Sequence, residues 1–177
     1  MFISHISSAV IGRAEARLGV ALDYVREIAA TDLRLLLRYN KIFGFLDPVR
    51  KVPPAAYHTA RLRGAVAADC GTCVTAEINL AGLAGLPEAL VDQVLSGHYD
   101  ALPEDLAAVA RLADSVVGRR EDDAQSRDAV RAQFGAAGLI ELSFAMNGAA
   151  LLPGIKRAMG YATACDLDVA RRAAKAL

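Results

Sequence analysis

Two cysteines three residues apart, Cys70 and Cys73, are the residues of this chain best suited to chemistry. On an α-helix their Cα atoms would lie about 5 Å apart, within the reach of a disulfide, so the pair can oxidise without unwinding the helix. In a first helical turn the sulfurs meet exposed backbone N–H groups and the positive end of the helix dipole, which favour thiolate over thiol; Cys70 gains most. Glu77 follows Cys73 by four residues and shares its face, while His58 precedes Cys70 by twelve, on the preceding helix. Folding that hairpin would bring His58, roughly 12 to 14 Å back from the turn, level with Glu77, roughly 10 Å beyond it. A thiolate nucleophile with an imidazole and a carboxylate to relay a proton is the set that cleavage of a peroxide requires.

Two other readings of the same residues stand beside this one. Cys70 and Cys73 would serve equally as small side chains packed between helices, with Glu77 exposed and His58 capping or packing. Alternatively Cys70, Cys73, His58 and Glu77 form a zinc shell, although one close cysteine pair without a second is a weak zinc signal and Glu is an uncommon structural ligand. Cys165 has no partner in sequence and reads as a buried or idle thiol.

The elements that must position these residues are helical throughout. Ile11, Leu18, Leu22, Val25 and Ala29 recur at helical spacing among charged residues, which predicts one amphipathic helix over about 5–29. Thr31 would cap a second, ending near Gly44 before a turn at Asp47 and Pro48. Pro53 and Pro54 open a third over about 54–67, and a fourth follows over about 70–84 with Asp69 at its N-cap. Pro87 starts a short fifth helix ending near Gly97, and Pro103 a sixth with Leu106, Val109, Ala110, Ala113 and Val116 on one face. After a polar connection over 119–126, a short helix over 128–134 is stopped by Gly135. A nearly all-apolar helix over 139–152 follows and implies burial on all sides. A last segment from Ile155 carries Arg171, Arg172 and Lys175, and no strand is expected.

The chain has 177 residues, enough for one sizeable core, which predicts a single all-α domain over 1–177. Twenty basic residues balance twenty acidic ones, so nothing in the charge favours nucleic acid or an acidic membrane surface. The residues from Met1 to Arg13 carry no basic and apolar secretion pattern, and three cysteines are an odd number for a disulfide scaffold; both favour a reducing, cytoplasmic setting. The most membrane-like stretch, 135–155, is interrupted by Glu141, Asn147, Gly148, Pro153 and Gly154 and reads as a core helix. A composition that is 54% hydrophobic, rich in Ala and Leu and free of Trp, exceeds what one small core requires and points to a subunit interface.

Around the cysteines the chain resembles the alkylhydroperoxidase D and carboxymuconolactone decarboxylase family over about residues 20–165. The family pattern is a Glu, eleven residues, Cys-x-x-Cys and, three residues later, a His. Here His58 occupies the Glu position and Glu77 the His position, so the pair is kept but exchanged. Arg61, Leu62, Arg63 and Ala67 before the cysteines, the segment 102–117 and the ending around 156–160 resemble the family as well.

The resemblance implies a compact all-α fold with the cysteine pair at the start of a core helix. It implies a peroxidase in which Cys73 attacks the hydroperoxide and Cys70 resolves the sulfenic acid into a disulfide. The dipole reading above favours Cys70 as the lower-pKa thiol. A carboxylate beside Cys73 would disfavour its thiolate, whereas a His58 leaning over the sulfurs and oriented by Glu77 would let the couple work from the other helix. No flavin, haem or other cofactor is expected, and no phosphate-binding glycine loop is present to hold a nucleotide reductant. Reducing equivalents would come from a dithiol partner, lipoyl-type or thioredoxin-like by resemblance. Assembly would be a trimer or pair of trimers, a two-fold dimer being the general alternative. Two further functions remain as expectations: lactone decarboxylation, whose enzymes share the fold but lack the cysteine pair, and a non-catalytic helical oligomeric binding protein.

Overall fold

The computed structural model describes residues 2–46, 48 and 51–175, with side chains from residue 8 to residue 174. Among the described residues every regular element is helical, as the alanine- and leucine-rich composition requires. The single N-terminal helix expected over 5–29 is two: α1 Phe2–Leu18 and α2 Asp23–Thr31. Gly19 adopts a left-handed φ of 65° and donates its N–H to the Glu15 carbonyl, which ends α1. The Glu15 carboxylate then accepts from the Leu22 N–H and binds Arg26, so one acid ties the two helices together.

Helix α3, Leu33–Asn40, is capped by Asp32, whose side chain accepts from the Arg34 N–H, and not by Thr31. Thr31 ends α2 and donates its hydroxyl to the Glu27 carbonyl. A 3-10 turn, Lys41–Phe45, closes this part; Asp47 of the expected turn lies outside the described residues.

Helices α4 Pro54–Ala67 and α5 Gly71–Leu83 form the expected hairpin. Its cap differs from the sequence reading. Asp69 takes a left-handed φ of 51° just past the end of α4, a conformation that Asp tolerates better than most residues, and Cys70 becomes the N-cap of α5 in extended geometry. Helix α6 Glu88–Ser96 ends at a left-handed Gly97, and α7 Glu104–Ala113 runs on into a π-helical turn, Asp114–Arg119. Arg63 of α4 fastens this region by a bidentate pair with Asp114 at 2.8 Å and by bonds to the Val94 and Leu95 carbonyls.

Helix α8, Ala124–Ala158, joins the two helices expected over 128–134 and 139–152 across a break at Gly135, whose φ of 72° and ψ of 179° suit only glycine. It continues through Pro153 to Ala158, so the segment from Ile155 is its last turn, and α9 Leu167–Lys175 follows. The expectation that 139–152 is buried on all sides does not hold. Ile140, Phe144 and Leu151 are about half exposed along one stripe of α8, while Glu141 is buried. By length and hydropathy α8 could cross a membrane; 44% of its most apolar stretch is buried within the molecule.

The main core joins α4 to α8 around Leu62, Val74, Val94, Val109, Leu142 and Met146. Gly64 permits the closest approach: a Cβ there would stand 2.2 Å from the Met146 carbonyl oxygen. A second cluster, Ile11, Tyr24, Val25, Leu36 and Tyr39, binds α1, α2 and α3 together and meets the last turns of α8 through Leu152, Ile155 and Met159.

Candidate active site

A cavity of about 690 Å³ opens where α1, α2 and α3 meet α4, α5 and the end of α8, within the size range of small-molecule sites. Its walls are mainly apolar, from Val10, Ile11, Leu18, Leu22 and Val25 on one side to Leu80, Leu83 and Leu152 on the other. Polar lining residues include Tyr57, His58 and Arg61 from α4, Thr72, Cys73 and Glu77 from α5, Lys156 from α8, and Tyr24 and Tyr39 from the N-terminal helices. Three of the four sequence-read site residues, Cys73, His58 and Glu77, therefore line one cavity. Cys70 stands behind Cys73, 0% exposed.

The two sulfurs lie 2.8 Å apart in hydrogen-bonding contact, and both cysteines are free. Sharing that proton with Cys73 is the largest influence on Cys70 and pulls its thiol down to about 5; burial opposes the shift, and the Thr72 hydroxyl, the Cys73 backbone N–H and the Lys156 charge assist it. The same contact, together with burial, pushes Cys73 well above the ordinary thiol range. The contact thus separates the two titrations of the pair, easing loss of the first proton and opposing loss of the second. Cys73, not Cys70, lines the cavity, so its sulfur is the one a cavity ligand meets.

The turn that carries Cys70 is bonded to the end of α8 and to the segment after it. Thr163 accepts from the Gly71 N–H at 3.3 Å, the Cys165 N–H donates to Asp69 Oδ1 at 2.9 Å, and Arg157 donates to the Ala68 and Asp69 carbonyls. Gly71 is required beneath this cover, since a Cβ would stand 2.9 Å from the Ala164 carbonyl oxygen. Burial raises the Cys165 thiol, with the Asp69 and Cys70 charges adding to the effect.

The His58 and Glu77 couple read from sequence takes a different form. Arg61, one helical turn after His58, engages both carboxylate oxygens of Glu77 at 2.7 and 2.8 Å, with both side chains buried. Burial works against the Arg61 charge, but the Glu77 carboxylate outweighs it and holds the guanidinium above its ordinary range. Arg61 also donates to the Leu46 carbonyl and to the Tyr57 hydroxyl. His58 packs edge-on against the Tyr57 ring, and its Nδ1 is buried without a hydrogen-bond partner. Burial, followed by the nearby Arg61 charge, pushes its pKa below the usual imidazole value, against a smaller pull from Glu77, so His58 is neutral near pH 7.

Sequence reasoning named Arg61 only as part of a resembling segment and missed its pairing with Glu77. The spacing from His58 puts Arg61 on a neighbouring face of α4, and that was the available signal. Lys156 was missed likewise. It is buried, donates to the Thr72 hydroxyl and stands 5.4 Å from the centroid of the Tyr24 ring. The zinc arrangement is not formed: with Glu77 held by Arg61, no three His, Cys, Asp or Glu side chains converge as a metal site among the described residues. Comparison with family models, with curated proteins and with solved structures finds no match to this chain.

Proposed function

We propose that this chain is a thiol-dependent peroxidase of the alkylhydroperoxidase D-like type, reducing a hydroperoxide through the Cys73 and Cys70 couple. One observation carries the reading: Cys73 faces a ligand-sized cavity while the sulfur of Cys70 waits 2.8 Å behind it. In the reaction the shared proton passes to Cys70 and the Cys73 thiolate attacks the terminal peroxide oxygen. The O–O bond breaks, the alkoxide takes one proton from solvent and leaves as the alcohol, and Cys73 becomes a sulfenic acid. Cys70 then attacks that sulfur, water departs, and a disulfide remains. A dithiol partner, lipoyl-type or thioredoxin-like, returns two electrons and two protons, of which the pair keeps one and solvent receives the other.

Neutral His58, which lines the cavity and whose buried Nδ1 has no hydrogen-bond partner, is suited to relay the proton to the departing alkoxide. The Arg61 and Glu77 pair contributes a fixed dipole without net charge, in place of the imidazole–carboxylate couple read from the sequence. No organic cofactor or metal enters this scheme.

The reading extends to a reducing compartment and to a homo-oligomer, trimeric or dimeric, supported by the exposed stripe of Ile140, Phe144 and Leu151 on α8. The apolar cavity wall favours one competing function, a non-catalytic carrier of an apolar ligand, whose affinity would be indifferent to the thiols. Peroxide consumption with dihydrolipoamide as reductant decides between them. Cys73→Ser abolishes turnover, and Cys70→Ser permits one turnover and stops at a sulfenic acid seen by mass spectrometry. Turnover unchanged by Cys73→Ser would sink the proposal.

A further inference from the structure

A buried ammonium requires a counter-charge, because an uncompensated cation away from water is strongly destabilising. Lys156 is 5% exposed in the last turn of α8, yet among the described residues no carboxylate pairs with it. The acid lining the same cavity, Glu77, is already engaged by Arg61. What Lys156 does touch is the hydroxyl of Thr72 and the face of the Tyr24 ring. An ammonium can only donate, so the Thr72 oxygen accepts from it and the Thr72 proton is turned outward. The next acceptor is Cys70 Sγ, 3.6 Å from that oxygen.

We infer that Lys156 is the counter-ion of the reduced cysteine pair, acting through the Thr72 hydroxyl to hold one negative charge on the two sulfurs. It is a positioning residue for the thiol chemistry, since the hydroxyl stands between it and the reacting atoms. The groups around the pair leave this role to it. Tyr24 from α2 and Tyr39 from α3 are buried phenols bonded to each other at 2.6 Å, and burial keeps them protonated. His58 from α4 is neutral, Arg61 and Glu77 cancel, and Cys165 beyond α8 is held as a thiol. Lys156 is then the uncompensated cation at the sulfurs among the described residues.

A consequence follows for the redox step. A pair that already holds one charge and one proton loses two electrons and one proton on becoming a disulfide, with a hydroperoxide or the disulfide of a dithiol partner as oxidant. Its midpoint potential therefore varies with pH half as steeply as that of a pair of neutral thiols.

The inference rests on the Cys70 and Cys73 pair being redox-active but not on peroxide as the oxidant. Its test is the ultraviolet thiolate absorbance of the reduced protein against pH, in a Cys165→Ser background, for the parent, Lys156→Met, Lys156→Arg and Thr72→Val. In Lys156→Met the thiolate midpoint rises by about one unit or more, a roughly tenfold loss of thiolate below it. Thr72→Val moves it the same way, and Lys156→Arg restores the parent profile. A folded Lys156→Met with an unmoved midpoint overturns the inference. Should Lys156→Met not fold, an unmoved midpoint in Thr72→Val overturns it instead. A shifted midpoint in a protein whose parent consumes no peroxide sustains the counter-ion and sinks the peroxidase reading, and an unmoved midpoint with full turnover does the reverse.

Discussion

Replacing Arg61 by Met leaves the Glu77 carboxylate, 5% exposed, with neither its counter-charge nor its two shortest hydrogen bonds. The guanidinium bonds to the Leu46 carbonyl and the Tyr57 hydroxyl go as well. Breaking one side of a buried pair costs about 3 to 5 kcal/mol, most of it the penalty of the stranded charge. Removing both charges in Arg61→Met with Glu77→Met strands nothing. That double variant should lie within about 2 kcal/mol of the parent, and the two single losses should exceed it in sum. Urea unfolding at neutral pH followed by circular dichroism measures all four proteins. The same Arg61 variant should slow thiol alkylation, since an unneutralised carboxylate beside Cys73 opposes its ionisation. A loss below about 1 kcal/mol for Arg61→Met, or additive single effects, would refute the view of Arg61 and Glu77 as one buried, mutually dependent unit.

Gly64→Ala places a Cβ 2.2 Å from the Met146 carbonyl oxygen, on backbone that cannot swing aside, and should lower stability by about 1 to 3 kcal/mol in the same unfolding assay. His58 has its pKa lowered in the folded chain, so the unfolded chain takes up the proton first. Stability therefore declines as pH falls below about 6.5 toward the folded value, and His58→Phe should flatten that decline in unfolding measured from pH 7 to pH 5. Light scattering should find an oligomer that Phe144→Asp weakens; a stable monomer with full thiol reactivity would remove the assembly proposal.

Local punctuation made much of this fold legible in the chain. Pro54 opens α4, Gly97 ends α6 with a left-handed turn, and the cysteine pair opens α5 as its spacing implied. Errors arose where a single residue decides between continuing a helix and stopping it. Gly19 breaks a periodic apolar stripe that reads as continuous, and α8 passes through Pro153 because packing holds a turn that propensity disfavours. The site divides in the same way. Residues on the α4–α5 hairpin were close enough in sequence for helical spacing to align them. Lys156 reaches Thr72 from 84 residues away, and the competition of Arg61 for Glu77 is settled by side-chain geometry that periodicity does not carry.

The turn around Cys70 is fastened by a segment far downstream of it in the chain. Asp69 and Cys165, which help to close it, are 96 residues apart, and Thr163 reaches Gly71 across a similar span. During synthesis the hairpin bearing the dithiol emerges long before the segment that shelters it. Until residues 163–165 arrive, the Gly71 N–H and the Asp69 carboxylate, on either side of Cys70, lack the partners they hold in the finished fold. The turn that carries Cys70 is thus completed only when a segment far downstream folds back onto it.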